Sequence, residues 1–141
     1  MENPLVLLLC VADPRPGAAV DAIYNTIEEN IESAEIYRLD RSKVTFAAVE
    51  MIVILSAAAS VATVVSLLYQ IWKDHRDKGN LYVGADPKGD IQQMISDKTS
   101  DNEIEEFQTK LTKLRKSDRS GQIYEETVLE VRHSKAWRKT K

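Results

Sequence analysis

The sequence has very few of the residues that build disulfides and metal sites. It contains one cysteine, Cys10, which excludes an internal disulfide and favours a reducing compartment, so we expect a cytoplasmic protein. Its two histidines, His75 and His133, lie far apart in the chain. None of the ligand spacings typical of zinc sites or EF-hands occurs, and the sequence therefore predicts no metal and no cofactor.

Glycine is also scarce, and the glycines present do not form a phosphate-binding loop. Such a loop needs a second glycine followed by lysine and then serine or threonine, whereas Gly89 is followed by Asp90. Cys10 lies inside the apolar run of residues 5–12, which favours an inert core thiol over a nucleophile. A formal net charge of −3 gives no global attraction to nucleic acid. We therefore expect a protein that is not an enzyme and does not bind nucleic acid.

An export signal is not expected at the start of the chain. Glu2 is the only charged side chain before the apolar run, whereas a signal peptide begins with basic residues. The run of residues 5–12 is instead typical of a buried β-strand, ended by Asp13 and Pro14.

The pattern that follows predicts a β-α-β unit. Apolar residues at steps of three and four, Val20, Ile23, Ile27 and Ile31, indicate an amphipathic helix. Residues 34–39 then alternate as in a strand, with Ile36 and Arg38 on one side and Tyr37 and Leu39 on the other. Such a connection makes the two strands parallel, either adjacent or one strand apart.

The most apolar part of the chain, "EMIVILSAAASVATVVSLLYQIWKDHRDK", predicts one long helix over residues 44–78, rich in alanine and serine. Two interpretations of this helix remain open. Residues 51–69 carry no charge, which suits a single membrane span at about 51–72 with Tyr69 and Trp72 at the interface. Against a span, each flanking piece is too small for a comfortable core of its own.

A helix of this length in water would measure about 50 Å, more than the diameter of about 37 Å expected for a compact domain of this size. Both interpretations therefore predict that the helix engages something outside its own chain: an effector protein, a second copy or a membrane. Small residues at four-residue spacing would allow close helix packing. The predicted interaction residues are Ala58, Ala62, Val65, Ser66, Leu68 and Trp72.

The rest of the chain predicts a hairpin, a helix and a tail. Residues 80–85 and 90–96 form the hairpin, around the turn at residues 86–89. Ser100 and Glu103 form a capping box, and the helix that follows has the apolar stripe Ile104, Phe107, Leu111 and Leu114. Residues 118–141 are predicted to be a basic polar tail, with one short strand at residues 128–131 and disorder beyond. Its basic residues are Arg132, Lys135, Arg138 and Lys139.

Together these elements predict an α+β fold in one domain of residues 1–117. Its parts are a small sheet begun by the β-α-β unit, one long apolar helix, a hairpin and an amphipathic helix. This order resembles the effector-associated constant component family (the first-described type) of bacterial conflict systems. The resemblance covers about residues 4–116 and rests on the β-α-β start, the small-residue-rich apolar segment, the hairpin "LYVGADPKGDIQQMI" and the acidic helix start "SDNEIEEF".

The resemblance implies a non-enzymatic accessory or adaptor protein. Components of this family accompany variable effectors, such as peptidases or NTPases, in phage-defence gene clusters. The alternative function, which follows from the membrane interpretation, is a small single-pass membrane protein or membrane-acting effector.

Overall fold

The computed structural model describes residues 3–12, 16–31, 34–39, 48–74, 80–86, 91–96, 98–134 and 136–139. The elements in chain order are β1 (Leu5–Ala12), α1 (Pro16–Asn30), β2 (Glu35–Leu39), β3 (Ala48–Leu55), α2 (Val61–Asp74), β4 (Asn80–Gly84), β5 (Gln92–Ile95), α3 (Asp101–Arg115), α4 (Asp118–His133) and β6 (Trp137–Lys139). The fold is α+β, as the sequence predicts.

The strands form one sheet in the order β5-β4-β1-β3-β2-β6, and every neighbouring pair is antiparallel. Because β1 and β2 are both antiparallel to β3, they run parallel to each other with β3 between them. The predicted parallel relation, one strand apart, is confirmed. The predicted hairpin is also confirmed as β4 and β5, while residues 87–90 of its turn lie outside the described residues.

The predicted long helix over residues 44–78 is wrong. Residues 48–55 form strand β3, residues 56–60 form a turn and residues 61–74 are helical, while residues 44–47 and 75–78 lie outside the described residues. β3 pairs with β1 on one side and β2 on the other, and Met51, Ile52, Val53, Ile54 and Leu55 are all buried. A central strand covered on both faces has a continuous apolar sequence, which periodicity cannot distinguish from a buried helix.

The predicted membrane span at about 51–72 is wrong for the same reason, because strand and turn occupy its first part. Within the described part of the chain, no helix combines the length and the apolar character needed to cross a bilayer.

The two faces of the sheet differ in their surroundings. One face, here called the helix face, carries Leu5, Leu7, Leu9 and Val11 of β1, none more than 2% exposed. Their partners Val53 on β3 and Val83 on β4 are equally buried. Helix α2 packs against both α1 and α3, and the three helices supply this core. The predicted core residues Ile23, Ile27, Ile104, Phe107 and Leu111 are all buried in it.

The cap of α3 is confirmed. The Ser100 side chain accepts a hydrogen bond from the backbone N–H of Glu103 at 3.3 Å, and this satisfies one of the free N–H groups of the first turn. The predicted apolar stripe of this helix is buried along its length.

The prediction of a basic polar tail over residues 118–141 also needs correction. Residues 118–133 form helix α4, so the short strand predicted at 128–131 is wrong, and residues 137–139 form strand β6, paired with β2, where disorder was expected. The buried stripe of α4 is Ser120, Ile123, Thr127 and Val131, at helical spacing. Two of these four residues are hydroxylic, which makes the apolar periodicity of the helix weak in the sequence.

Candidate binding groove

The second face of the sheet, here called the groove face, is only partly covered. It presents Val6, Leu8, Cys10 and Ala12 of β1, since these residues alternate with the buried ones of the helix face. Helix α4 packs along β1 and buries Val6, whereas Leu8, Cys10 and Ala12 remain half-buried. α4 thus leaves part of this face open toward β4 and β5.

A groove of about 470 Å³ lies between α4 and this part of the sheet. That volume is within the range of pockets that hold small molecules or the side chains of a partner. Its lining residues are Leu8, Leu9, Cys10, Glu50, Met51, Ile52, Tyr82, Val83, Gly84, Asp86, Gln92, Thr127, Glu130 and Trp137.

The floor of the groove is a row of small and apolar residues across neighbouring strands. Gly84 lies opposite Leu8 on one side and opposite Gln92 on the other, and Leu8 lies opposite Ile52. Gly84 has no side chain to fill this row. A Cβ atom added there would come no closer than 3.6 Å to its neighbours, an ordinary contact distance. The floor is therefore open at Gly84 because glycine has no side chain, and the backbone conformation there does not require a glycine.

The next row along the same face contains the most exposed apolar side chains of the sheet. Met94 pairs with Tyr82, Tyr82 with Cys10, and Cys10 with Glu50. The exposed fractions of Tyr82 and Met94 are 43% and 45%. Two adjacent, exposed large apolar residues beside a groove form the kind of apolar patch that often marks an interaction surface.

The lining of the groove is acidic. It contains the three carboxylates of Glu50, Asp86 and Glu130, and no lysine, arginine or histidine among the described lining residues. Asp86 is largely buried, and its Oδ1 lies 3.4 Å from Nη2 of Arg119 on α4. This ion pair joins the first turn of α4 to the end of β4 and so fixes one end of the groove.

Both edges of the sheet are protected against the addition of another strand. At the β5 edge, the carbonyl of Met94 accepts hydrogen bonds from Nε2 of Gln93 at 2.9 Å and from Oγ1 of Thr99 at 3.3 Å. At the other edge, β6 has three residues, two of them basic, and Nζ of Lys139 lies 3.3 Å from Oε1 of Glu35. Short, charged or locally satisfied edges discourage strand pairing, so the groove face is the more available surface.

The structure divides the predicted interaction residues between the core and the surface. Val65, Leu68 and Trp72 are at most 2% exposed and belong to the chain's own core, so they do not present a surface to a partner. Ala58 is exposed in the turn before α2, and Ala62 and Ser66 are exposed on α2. Nε2 of Gln108 donates to Oγ of Ser66 at 3.4 Å, so the helix beside Ser66 is α3 of the same chain.

The predicted basic residues occupy two different elements. Arg132 is exposed in the last turn of α4, while Arg138 and Lys139 are exposed on β6 and point to opposite faces of the sheet. Lys135 lies outside the described residues.

Sequence reasoning missed the residues that form the groove. A signal was present for Tyr82 and Gly84, which alternate with the apolar pair Leu81 and Val83 and so must share the opposite face of β4. No local pattern in the sequence predicts that Glu130 lies near them, because α4 contacts the sheet only through tertiary packing. Among the described residues, no three or more histidine, cysteine, aspartate or glutamate side chains cluster closely enough to hold a metal ion.

A scan against protein-family models, a search of curated proteins and a search of solved structures each gave no match to this chain.

Proposed function

We propose that the chain is a non-enzymatic adaptor that holds a partner protein on the open part of its groove face. The observation that carries this proposal is the adjacent exposure of Tyr82 and Met94 beside a groove of about 470 Å³. Apolar area of this kind favours association once it is removed from water, by roughly 25 cal/mol per Å². α4 already covers part of the same face, and a partner would complete the cover.

This proposal places the interaction on the sheet, not on the helix predicted from the sequence. The apolar side of α2 is occupied by the core, and what it exposes beside α3 is small or polar. A groove lined by Ala62, Gln108 and Thr112 offers little apolar area to a partner. The sheet surface around Tyr82 offers more.

The resemblance to the effector-associated constant components supports a class of partner. In this proposal the partner is a cytoplasmic effector of a bacterial conflict system, such as a peptidase or an NTPase. The β-α-β start, the hairpin and the capped helix agree with the architecture on which the resemblance rests. The long apolar helix does not, since its first part is strand β3.

The test is co-expression of the tagged chain with the products of the genes that flank its own gene. We expect one of these products to co-purify with the unchanged chain. Replacing Tyr82 and Met94 together by serine removes the exposed apolar area and should abolish the co-purification.

The matched control is Leu129→Ser, because Leu129 is 60% exposed on α4 and does not line the groove. This variant should retain the partner. Thermal melts should show that all three proteins are folded. Full retention of the partner by the Tyr82/Met94 double variant would contradict the proposal.

A further inference from the structure

We infer that the edge of β2, which β6 occupies, accepts a strand of a partner protein by exchange with β6, and that the incoming strand carries an acidic residue opposite Arg38. This inference goes beyond the proposed function, which concerns the open part of the groove face around Tyr82. It is drawn from the size of β6, from the register of its pairing with β2 and from the charge of Arg38.

β6 is held on the sheet by few contacts. It has three residues, whereas the other strands of the described sheet have four to eight. Its described pairing covers residues 37–39 of β2. Arg138 and Lys139 are exposed, and Trp137 is half-buried. An edge segment with few buried apolar contacts opens locally at a small cost in free energy. We therefore expect β6 to leave β2 more readily than the central strands leave one another.

The ion pair between β6 and β2 adds little to this attachment. Nζ of Lys139 lies 3.3 Å from Oε1 of Glu35, but the two side chains are 59% and 38% exposed. An ion pair that is exposed to water to this extent contributes little to stability. The main apolar anchor of β6 is therefore Trp137, which packs at the border of the core and lines the groove.

The register of the pairing places two arginines opposite each other. Arg38 of β2 pairs with Arg138 of β6, and both residues are exposed. Like charges directly opposite each other destabilise a pair of strands, whereas opposite charges stabilise it. A strand with an acidic residue at this position would therefore pair better with β2 than β6 does. The preference holds whatever else Arg138 contacts, because it depends on the charge that faces Arg38.

The same register favours a partner protein over a second copy of this chain. A second copy would bring its own β6 and would again place an arginine opposite Arg38. Strands that add to a sheet edge gain affinity from main-chain hydrogen bonds and specificity from their side chains. The strand that fits this edge has an aromatic residue opposite Leu39, as Trp137 is now, followed by an acidic residue opposite Arg38.

The probes that test this inference are two fluorescent peptides of residues 134–141. One has the natural sequence, and the other, the glutamate peptide, carries Arg138→Glu. Binding to the full chain is measured by fluorescence anisotropy at about 0.15 M salt, which screens the difference in net charge between the peptides. The glutamate peptide should bind about threefold more tightly than the natural one, an effect of the size of one cross-strand charge pair.

Two variants of the chain locate the binding at β2. Arg38→Glu reverses the charge that faces the peptide, so the natural peptide should then bind about threefold more tightly than the glutamate peptide. Trp137→Ser weakens the chain's own β6, which competes for the same edge, and should tighten binding of the glutamate peptide at least about threefold. The matched control is Lys113→Glu, an equal change of charge at an exposed position on α3, which should leave the order of the two peptides unchanged.

The inference is overturned if Arg38→Glu leaves the order of the two peptides unchanged, or if the Trp137→Ser variant binds neither peptide or binds no more tightly than the unchanged chain. Tighter binding of the natural peptide by the unchanged chain, together with dimers in light scattering, would also overturn it, in favour of exchange of β6 between two copies. Co-purification with the Tyr82/Met94 variant reports on a different surface, so the two proposals can fail separately.

Discussion

Asn3 and Arg115 bind each other's backbone. The backbone N–H and the side-chain amide of Asn3 both donate to the carbonyl of Arg115 at 3.1 Å, and Nε of Arg115 donates to the carbonyl of Asn3 at 2.9 Å. The Arg115 guanidinium also donates to the carbonyls of Ser56, at 2.5 Å, and Ala59. One buried cation thereby joins the start of the chain, the turn between β3 and α2, and the end of α3.

Arg115→Met should remove these side-chain hydrogen bonds and leave carbonyls unsatisfied in a site that is 2% exposed. We expect the free energy of unfolding to fall by about 3 kcal/mol or more. Arg132→Met, at an exposed position on α4, should change it by less than about 0.5 kcal/mol. Urea unfolding of the two variants measures the difference. A fall of less than about 1 kcal/mol in the free energy of unfolding of Arg115→Met would show that the hydrogen bonds of Arg115 do not stabilise the fold.

Phe107→Ala should create a cavity in the core beneath the helix face. Phe107 is 2% exposed on α3, and truncating a buried phenylalanine costs about 3–5 kcal/mol. Its neighbour Glu106 is exposed, so Glu106→Ala is the matched control and should have little effect. Denaturant melts of both proteins check this, and equal midpoints would place α3 outside the core.

Substitutions on the two sides of α2 should differ strongly in their effect on stability. Leu68 is 1% exposed, and Leu68→Ala should lower the free energy of unfolding by about 2–5 kcal/mol. Ala62 is exposed, and Ala62→Leu should change it by no more than about 0.5 kcal/mol. Dissociation of an assembly by Ala62→Leu, with the fold intact, would restore the helix-mediated association predicted from the sequence. Strong destabilisation of the monomer would instead show that Ala62 is packed within the chain.

Tyr69 should make a small contribution to stability that depends on pH. Its hydroxyl donates to the carboxylate of Asp101 at 2.9 Å and to the carbonyl of Thr99 at 3.0 Å. The hydrogen bond to Asp101, then partial burial, then repulsion by the charges of Asp101 and Glu103 raise the pKa of Tyr69. A raised pKa means that folding favours the neutral phenol. Its stabilisation is therefore present below the ordinary tyrosine pKa of about 10 and is lost as the pH rises through the folded value.

Tyr69→Phe should accordingly lower the free energy of unfolding by about 0.5–1 kcal/mol at neutral pH, a small value because the site is partly exposed. The difference between the two proteins should shrink as the pH rises beyond about 10. Urea unfolding at neutral and alkaline pH measures both. A difference that stays constant with pH would show that the phenol's ionisation is not linked to folding.

The elements that could be predicted are those with a complete local signal. Helix α3 has both its cap and its apolar stripe in the sequence, and β1 ends at a turn signal. Strand β3 could not be assigned in this way, because its partner β1 is distant in sequence and residues 51–55 are buried on both faces of the sheet. The three alanines after it favour helix by propensity, yet Arg115, more than fifty residues away, holds the turn around them.

The groove depends still more on tertiary structure. The alternation of Tyr82 and Gly84 with buried residues could have placed them on one face. Nothing local shows that α4 covers only part of that face, since its stripe contains Ser120 and Thr127 and has weak apolar periodicity. The exposed apolar row of Tyr82 and Met94 and the acidic lining of the groove can be recognised only when helix and sheet are placed together.

Cys10 gives a direct measurement of whether a partner occupies the groove. It is the chain's only cysteine, it is half-buried, and it lines the groove between Tyr82 and Glu50. Its rate of alkylation by a small thiol reagent should therefore fall at least about tenfold when a co-purified partner is present at saturation. In a Cys10→Ser background, a cysteine placed by Ser66→Cys on exposed α2 should react at the same rate with and without the partner. An unchanged rate at Cys10, with protection at position 66 instead, would contradict binding on the groove face.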